Sequence, residues 1–115
     1  MKTTIALLAL SASLAVAPAT ANAGYADRSP LNITDFAVCT AAVMKNGQGF
    51  NAYKTWVSAL DARYKVIYPK MTEKERDAYT AERVIDKRKY LNGKGIETTP
   101  AFLKFYNENC KGFEP

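Results

Sequence analysis

The sequence contains no histidine among its 115 residues. Histidine is the most common general base at neutral pH and the most common zinc ligand in proteins. Its absence excludes Ser-His-Asp and Cys-His catalytic arrangements, as well as histidine-ligated metal sites. We therefore expect no catalytic residues, no metal site and no cofactor, and we predict that the protein is not an enzyme.

The carboxylates do not indicate a catalytic pair either. Glu73, Glu75 and Asp77 are clustered, but they lie where a helix is predicted to begin, and helix capping and the helix dipole explain them. A glycosidase needs two carboxylates that face each other across a cleft. A chain of this size with short linkers offers little room for such a cleft.

The excess of positive charge is small. The chain has 16 Lys and Arg residues against 11 Asp and Glu residues, which gives a formal net charge of +5 at pH 7. This excess is compatible with an acidic partner or an anionic membrane surface, but it is too small to indicate nucleic acid. We expect a protein partner from the cell envelope or the medium, and no nucleic acid.

Residues 1–23 have the layout of a secretory signal peptide. Lys2 supplies a positive charge, and Ile5–Val16 is an uncharged run composed mostly of Ala and Leu. This run is shorter than the roughly 20 residues that a membrane-spanning helix needs. The alternatives to cleavage are a buried N-terminal helix and a retained anchor.

The segment Ala21-Asn22-Ala23 places small residues where a signal peptidase reads them. We predict cleavage after Ala23, with cleavage after Ala21 as the near alternative. The short, Ala-rich signal is typical of bacteria. The expected location is therefore the periplasm or the medium, with no stable membrane span after cleavage.

After a flexible lead-in at 24–31, the pattern predicts four helices in a domain at 32–115. The first helix begins near Asn32 or Thr34, which are both suitable N-caps, and it ends at Asn46-Gly47. The second helix ends before Pro69 and carries the clearest apolar stripe. The residues of this stripe are Phe50, Tyr53, Trp56, Val57, Leu60, Tyr64 and Ile67.

The third and fourth helices are predicted mainly from their ends. Thr72 and Glu75 have the spacing of a capping box, and Asn92-Gly93 is the predicted end of the third helix. Thr99 is the predicted N-cap of the fourth helix, with Pro100 at its first position. The apolar face predicted for the third helix consists of Tyr79 or Ala78, Ala81, Val84, Ile85, the Arg88 stem and Leu91, and that of the fourth consists of Phe102, Leu103, Tyr106 and Cys110.

Only two cysteines are present, and in an exported chain an even pair indicates a disulfide. Cys39 falls on the apolar face of the first helix and Cys110 on that of the last. The alternative, a redox-active pair, usually has two cysteines close in sequence with one thiol exposed. We predict an all-α fold, a compact bundle of about four helices with one disulfide that joins the first and last helices.

Some aromatic and basic residues fit the apolar stripes poorly and are candidates for a partner-facing surface, because Tyr and Arg are common anchors of interfaces. The candidates are Tyr68, Tyr79, Arg88, Lys89, Tyr90 and Phe105. The alternative is ordinary surface aromatics stacked on lysine and arginine stems. The basic run that includes Arg88 and Lys89 is likewise explained as a solvated helix end.

These features predict a small exported binding protein, such as an inhibitor or an immunity protein. A periplasmic stress chaperone and an accessory subunit of an envelope complex are the alternatives. In its signal peptide, helix content and single disulfide, the layout is similar to that of small helical periplasmic immunity proteins and of acid-stress chaperones.

Overall fold

The structure, a computed structural model, describes residues 31–115, and this part of the chain is all-α. The helices are α1 at Ile33–Lys45, α2 at Phe50–Ile67, α3 at Glu73–Gly93 and α4 at Thr99–Asn109, followed by a 3-10 turn at Lys111–Phe113. The prediction of a compact four-helix bundle is confirmed. The predicted signal peptide at 1–23 and nearly all of the lead-in at 24–31 lie outside the described residues.

Helix α1 lies at the centre of the bundle. All residues from Phe36 to Val43 are buried, and this run is longer than two helical turns, so every face of α1 is covered. Helices α2, α3 and α4 each pack against it. The sequence predicts one apolar face on this helix, the face that carries Cys39, but small residues such as Ala37, Ala41 and Ala42 allow neighbours on the other sides as well.

The apolar stripe of α2 faces the core over its middle turns only. Trp56, Leu60 and Tyr64 are buried, whereas Phe50 and Ile67 at its two ends are exposed. With 18 residues against 13, α2 is longer than α1, and at about 1.5 Å per residue it extends beyond its partner. The ends of the stripe are therefore only partly covered, and Phe50 contacts little besides the Tyr53 ring of its own helix.

Helix α3 buries only part of the predicted face, since Val84 and Leu91 are buried as expected but other members are not. Ala81 and Ile85 are exposed, whereas Arg76 and Thr80 are buried. The cause is Asp61 on α2, which accepts hydrogen bonds from Arg76 Nε at 3.1 Å and from Thr80 Oγ1 at 3.3 Å. Because a partner satisfies these polar groups, they can be buried between the two helices.

The predicted capping box at the start of α3 is present. The Glu75 N–H donates to Thr72 Oγ1 at 3.1 Å, and the Thr72 N–H donates to Glu75 Oε1 at 2.9 Å. At the other end, Gly93 is the last helical residue, and the left-handed glycine that closes the helix is Gly95, with φ of +88°. The predicted end of this helix is thus correct, but the terminating glycine lies two residues later.

Helix α4 begins one residue earlier than predicted. Its N-cap is Thr98, whose Oγ1 accepts from the Ala101 N–H at 3.2 Å. Thr99 is therefore the first helical residue and Pro100 the second. Both threonines are chemically suitable N-caps, and the sequence alone does not show which of the two is the N-cap.

The predicted disulfide is confirmed. Cys39 and Cys110 are bonded, their Cα atoms are 5.6 Å apart, and both side chains are buried. The bond joins the middle of α1 to the end of α4. The two helices that are most distant in the sequence are thereby fixed to each other.

A chain of polar contacts runs from the buried Trp56 through Tyr106 to the exposed Glu114. Trp56 Nε1 donates to Tyr106 Oη at 2.9 Å, and Tyr106 Oη donates to Glu114 Oε2 at 2.5 Å. Burial, together with the hydrogen bond to Glu114, raises the pKa of Tyr106 well above its usual value of 10. The phenol therefore keeps its proton and holds the segment after α4 against α2.

Candidate functional site

The structure does not bring the predicted partner-facing residues together on one surface. Tyr68 and Tyr79 contact each other where α2 meets α3. Tyr90 and Phe105 line one cavity, and Arg88 lines another. The sixth candidate, Lys89, is exposed on α3 and lines neither cavity. Three separate regions therefore replace the single predicted surface.

The first region is a group of tyrosines at the α2–α3 junction. The ring centroids of Tyr64 and Tyr79 are 4.9 Å apart in an edge-on arrangement, and those of Tyr68 and Tyr79 are 5.3 Å apart. The two hydroxyls of Tyr68 and Tyr79 lie 3.4 Å from each other, and the Arg83 guanidinium stacks on Tyr79 at 5.5 Å. Tyr68 is therefore fixed on one side by neighbouring rings while its other side meets solvent.

Burial and hydrogen bonding raise the pKa values of Tyr64 and Tyr79. Burial is the main cause that raises the pKa of Tyr64 to about 12. The hydrogen bond with Tyr68 is the main cause that raises the pKa of Tyr79. The Tyr64 and Tyr79 hydroxyls therefore stay neutral throughout the neutral pH range.

The tyrosine group borders an exposed apolar segment, the hairpin tip, which we define as residues 66–71. Val66, Ile67 and Tyr68 are consecutive and are exposed by 65%, 46% and 39%. Pro69 and Met71 continue the segment and line a shallow depression of about 530 Å³ together with Tyr68. The tip is the longest run of exposed large apolar side chains among residues 31–115.

The local sequence explains why the tip is exposed. Pro69 cannot continue the helix, so α2 ends at Ile67, and the Met71 N–H donates to the Tyr68 carbonyl in a tight turn. The apolar stripe of the second helix predicts a core position for Ile67 and does not include Val66. The exposure of this segment could have been predicted from its run of adjacent apolar residues. Neighbouring residues on a helix point in different directions and cannot all face one core.

The second region is a cavity of about 300 Å³ between α1, α3 and α4, with Tyr90 and Phe105 in its wall. Phe105 packs against the core. Lys94 Nζ lies 5.3 Å from the centroid of the Tyr90 ring. For Tyr90, this contact matches the alternative interpretation of a surface aromatic stacked on a lysine.

The third region is a polar cavity of about 290 Å³ where α1 ends and α4 begins, which we call the basic cavity. The residues that line it are Lys45, Arg88, Asn92, Glu97, Thr99 and Phe102. Nearby, Gly47 has φ of +85°, and a Cβ there would meet Thr99 Cγ2 at 3.0 Å. The α1–α2 turn thus approaches the start of α4 closely.

No group of three His, Cys, Asp or Glu side chains within residues 31–115 is arranged to hold a metal ion. In the same part of the chain, no helix has the length and apolar character needed to cross a membrane. Both cysteines are engaged in the disulfide. No protein-family model, curated protein or solved structure matches this chain.

Proposed function

We propose that this chain is an exported, non-enzymatic protein that binds another envelope or secreted protein through the hairpin tip, as an inhibitor or immunity protein does. The observation that carries the proposal is the exposure of Val66, Ile67 and Tyr68 as three consecutive large apolar side chains. Contiguous apolar surface that a folded domain leaves in water is typical of protein interfaces, where Tyr and Met are also enriched.

The surroundings of the tip support binding without a large loss of conformational freedom. The Tyr68 ring already contacts Tyr64 and Tyr79, so its orientation is restricted before a partner arrives. When fewer side chains lose conformational entropy on association, a larger part of the contact energy appears as binding affinity. Lys65 and Lys70 are exposed beside the apolar residues and supply a polar rim.

Export is supported by the disulfide together with the N-terminal sequence. Disulfides persist in oxidising compartments and are rare in the cytosol. We expect the exported product to begin at Gly24, because Ala21-Asn22-Ala23 is the best cleavage site in the sequence. Intact-mass measurement of the protein from periplasm and medium tests this. A soluble product that retains Met1–Ala23 would contradict it.

Binding through the tip is tested by placing a photo-reactive phenylalanine analogue at Val66 or at Phe50 in the producing bacterium. Phe50 is a matched control, because it is 70% exposed and lies at the opposite end of the same helix. We expect irradiation to give one discrete cross-linked protein from position 66 and none from position 50. Equal products from both positions would contradict the proposal.

The pattern of cross-links also separates the classes of binding protein. A single stoichiometric partner indicates an inhibitor, an immunity protein or an accessory subunit. Many unrelated products from position 66 indicate a chaperone. Val66→Asp should remove the cross-links formed by a probe at Tyr68 and leave the melting temperature unchanged, since Val66 is mostly exposed.

A further inference from the structure

The basic cavity contains more positive than negative charge. Lys45 and Arg88 are its cationic side chains and Glu97 is its carboxylate, so their formal charges sum to +1. None of the three forms an ion pair with another residue in the described part of the chain. The cavity volume of about 290 Å³ accommodates a small ligand.

Arg88 differs from the other arginines with a buried Nε atom because its guanidinium has no polar partner in the described part of the chain. Arg63, Arg83 and Arg88 each have a buried Nε without a hydrogen-bond partner among residues 31–115. Arg63, however, donates to the Leu31 carbonyl at 2.8 Å, and Arg83 pairs with Asp86 at 3.4 Å. The Arg88 guanidinium has neither kind of partner within this range, although it lines a cavity.

The start of α4 borders the same cavity. The first N–H groups of a helix have no partner within the helix. In α4, Pro100 has no N–H and the Ala101 N–H donates to Thr98. This leaves the N–H of Thr99, a residue that lines the cavity.

We propose that the basic cavity binds a carboxylate group, held by the Arg88 guanidinium and assisted by Lys45 and the N-terminal turn of α4. A guanidinium matches a carboxylate with two parallel hydrogen bonds. The formal charge of +1 in the lining is balanced by a monoanion, whereas a phosphate dianion would leave excess negative charge beside Glu97. The carboxylate belongs to a small organic acid or to the C-terminus of a peptide.

The test is a titration of the isotope-labelled exported protein with sodium acetate, followed by NMR of the arginine Nε–H signals, with sodium chloride at equal ionic strength as the reference. We expect a saturable shift of the Arg88 signal and of the Thr99 backbone amide. Lys45→Gln should weaken acetate binding about tenfold, in line with the loss of one charge-assisted contact. Glu97→Gln should tighten binding, because it removes a repulsive carboxylate.

Lys104→Gln is the matched control, because Lys104 pairs with Glu108 on the outside of α4 and the substitution removes the same charge. It should leave the acetate affinity unchanged. Arg88→Gln should abolish the shift at Thr99. Since Lys45 and Glu97 are exposed, their variants remain informative even if Arg88→Gln does not fold.

A tripeptide with a free C-terminal carboxylate, compared with its amidated form, distinguishes the two sources of the ligand. Tighter binding of the free tripeptide than of acetate, with no binding of the amide, identifies a chain terminus. Equal binding of acetate and the free tripeptide identifies a small organic acid. The proposal would be overturned by a shift no larger than with chloride or by tighter binding of phosphate than of acetate. An unchanged acetate affinity in both Lys45→Gln and Glu97→Gln would overturn it as well.

Discussion

Cys39→Ser should lower the free energy of unfolding by about 4 kcal/mol, because the lost bond closes a loop with a sequence separation of 71 residues. Without the bond, the unfolded chain gains the conformational freedom that the cross-link removes. A domain of this size has a total stability of about 5–15 kcal/mol, so the loss is a large fraction of it. Urea denaturation followed by far-UV circular dichroism measures the change.

The matched variants are Cys110→Ser and the double variant Cys39→Ser/Cys110→Ser. Each of the three lacks the same bond, so their unfolding free energies should agree within about 0.5 kcal/mol. Reduction of the wild-type protein should give a similar value. If the double variant lost as much unfolding free energy as the two single variants together, the two thiols would act separately and the bond would contribute little.

Leu60→Ala should destabilise the protein by about 2–5 kcal/mol, the usual range when a buried leucine is truncated and leaves a cavity. Leu60 is fully buried on the face of α2 that packs against α1. The close packing of α1 on all sides limits how far the surroundings can relax into the space. The same denaturation measurement applies.

Val66→Ala is the control for Leu60→Ala, since it removes methyl groups from the same helix at an exposed position. It should change stability by less than about 0.5 kcal/mol. Comparable losses in the two variants would mean that Val66 is packed in the core. The hairpin tip would then no longer be available as a binding surface, and the proposed function would be wrong together with this prediction.

The features predicted correctly from the sequence depend on local chemistry. Thr72 and Glu75 satisfy each other within one turn, and Pro69 ends α2 by its own geometry. The pairing of Cys39 with Cys110 could be predicted from the number of cysteines and from their positions on apolar helix faces. Such features do not depend on which other helix lies nearby, so the sequence pattern is sufficient to predict them.

The features that were missed depend on partners distant in the sequence. Arg76 and Thr80 are buried because Asp61 on another helix satisfies them, and no periodicity in α3 alone shows this. The burial of α1 on every side likewise requires three neighbouring helices. The predicted surface set is divided for a simpler reason, since Tyr79 lies near the start of α3 and Tyr90 near its end, far apart along one helix.

The central position of α1 has a consequence for the order of folding. This helix is synthesised before the other three, yet its last uncovered side is closed only when α4 packs against it. Contacts between segments this far apart form late, because a long loop must close first. Until Cys110 reaches the same oxidising compartment, Cys39 is a free thiol on an incompletely covered apolar helix, and any disulfide that it forms in that interval is with another molecule.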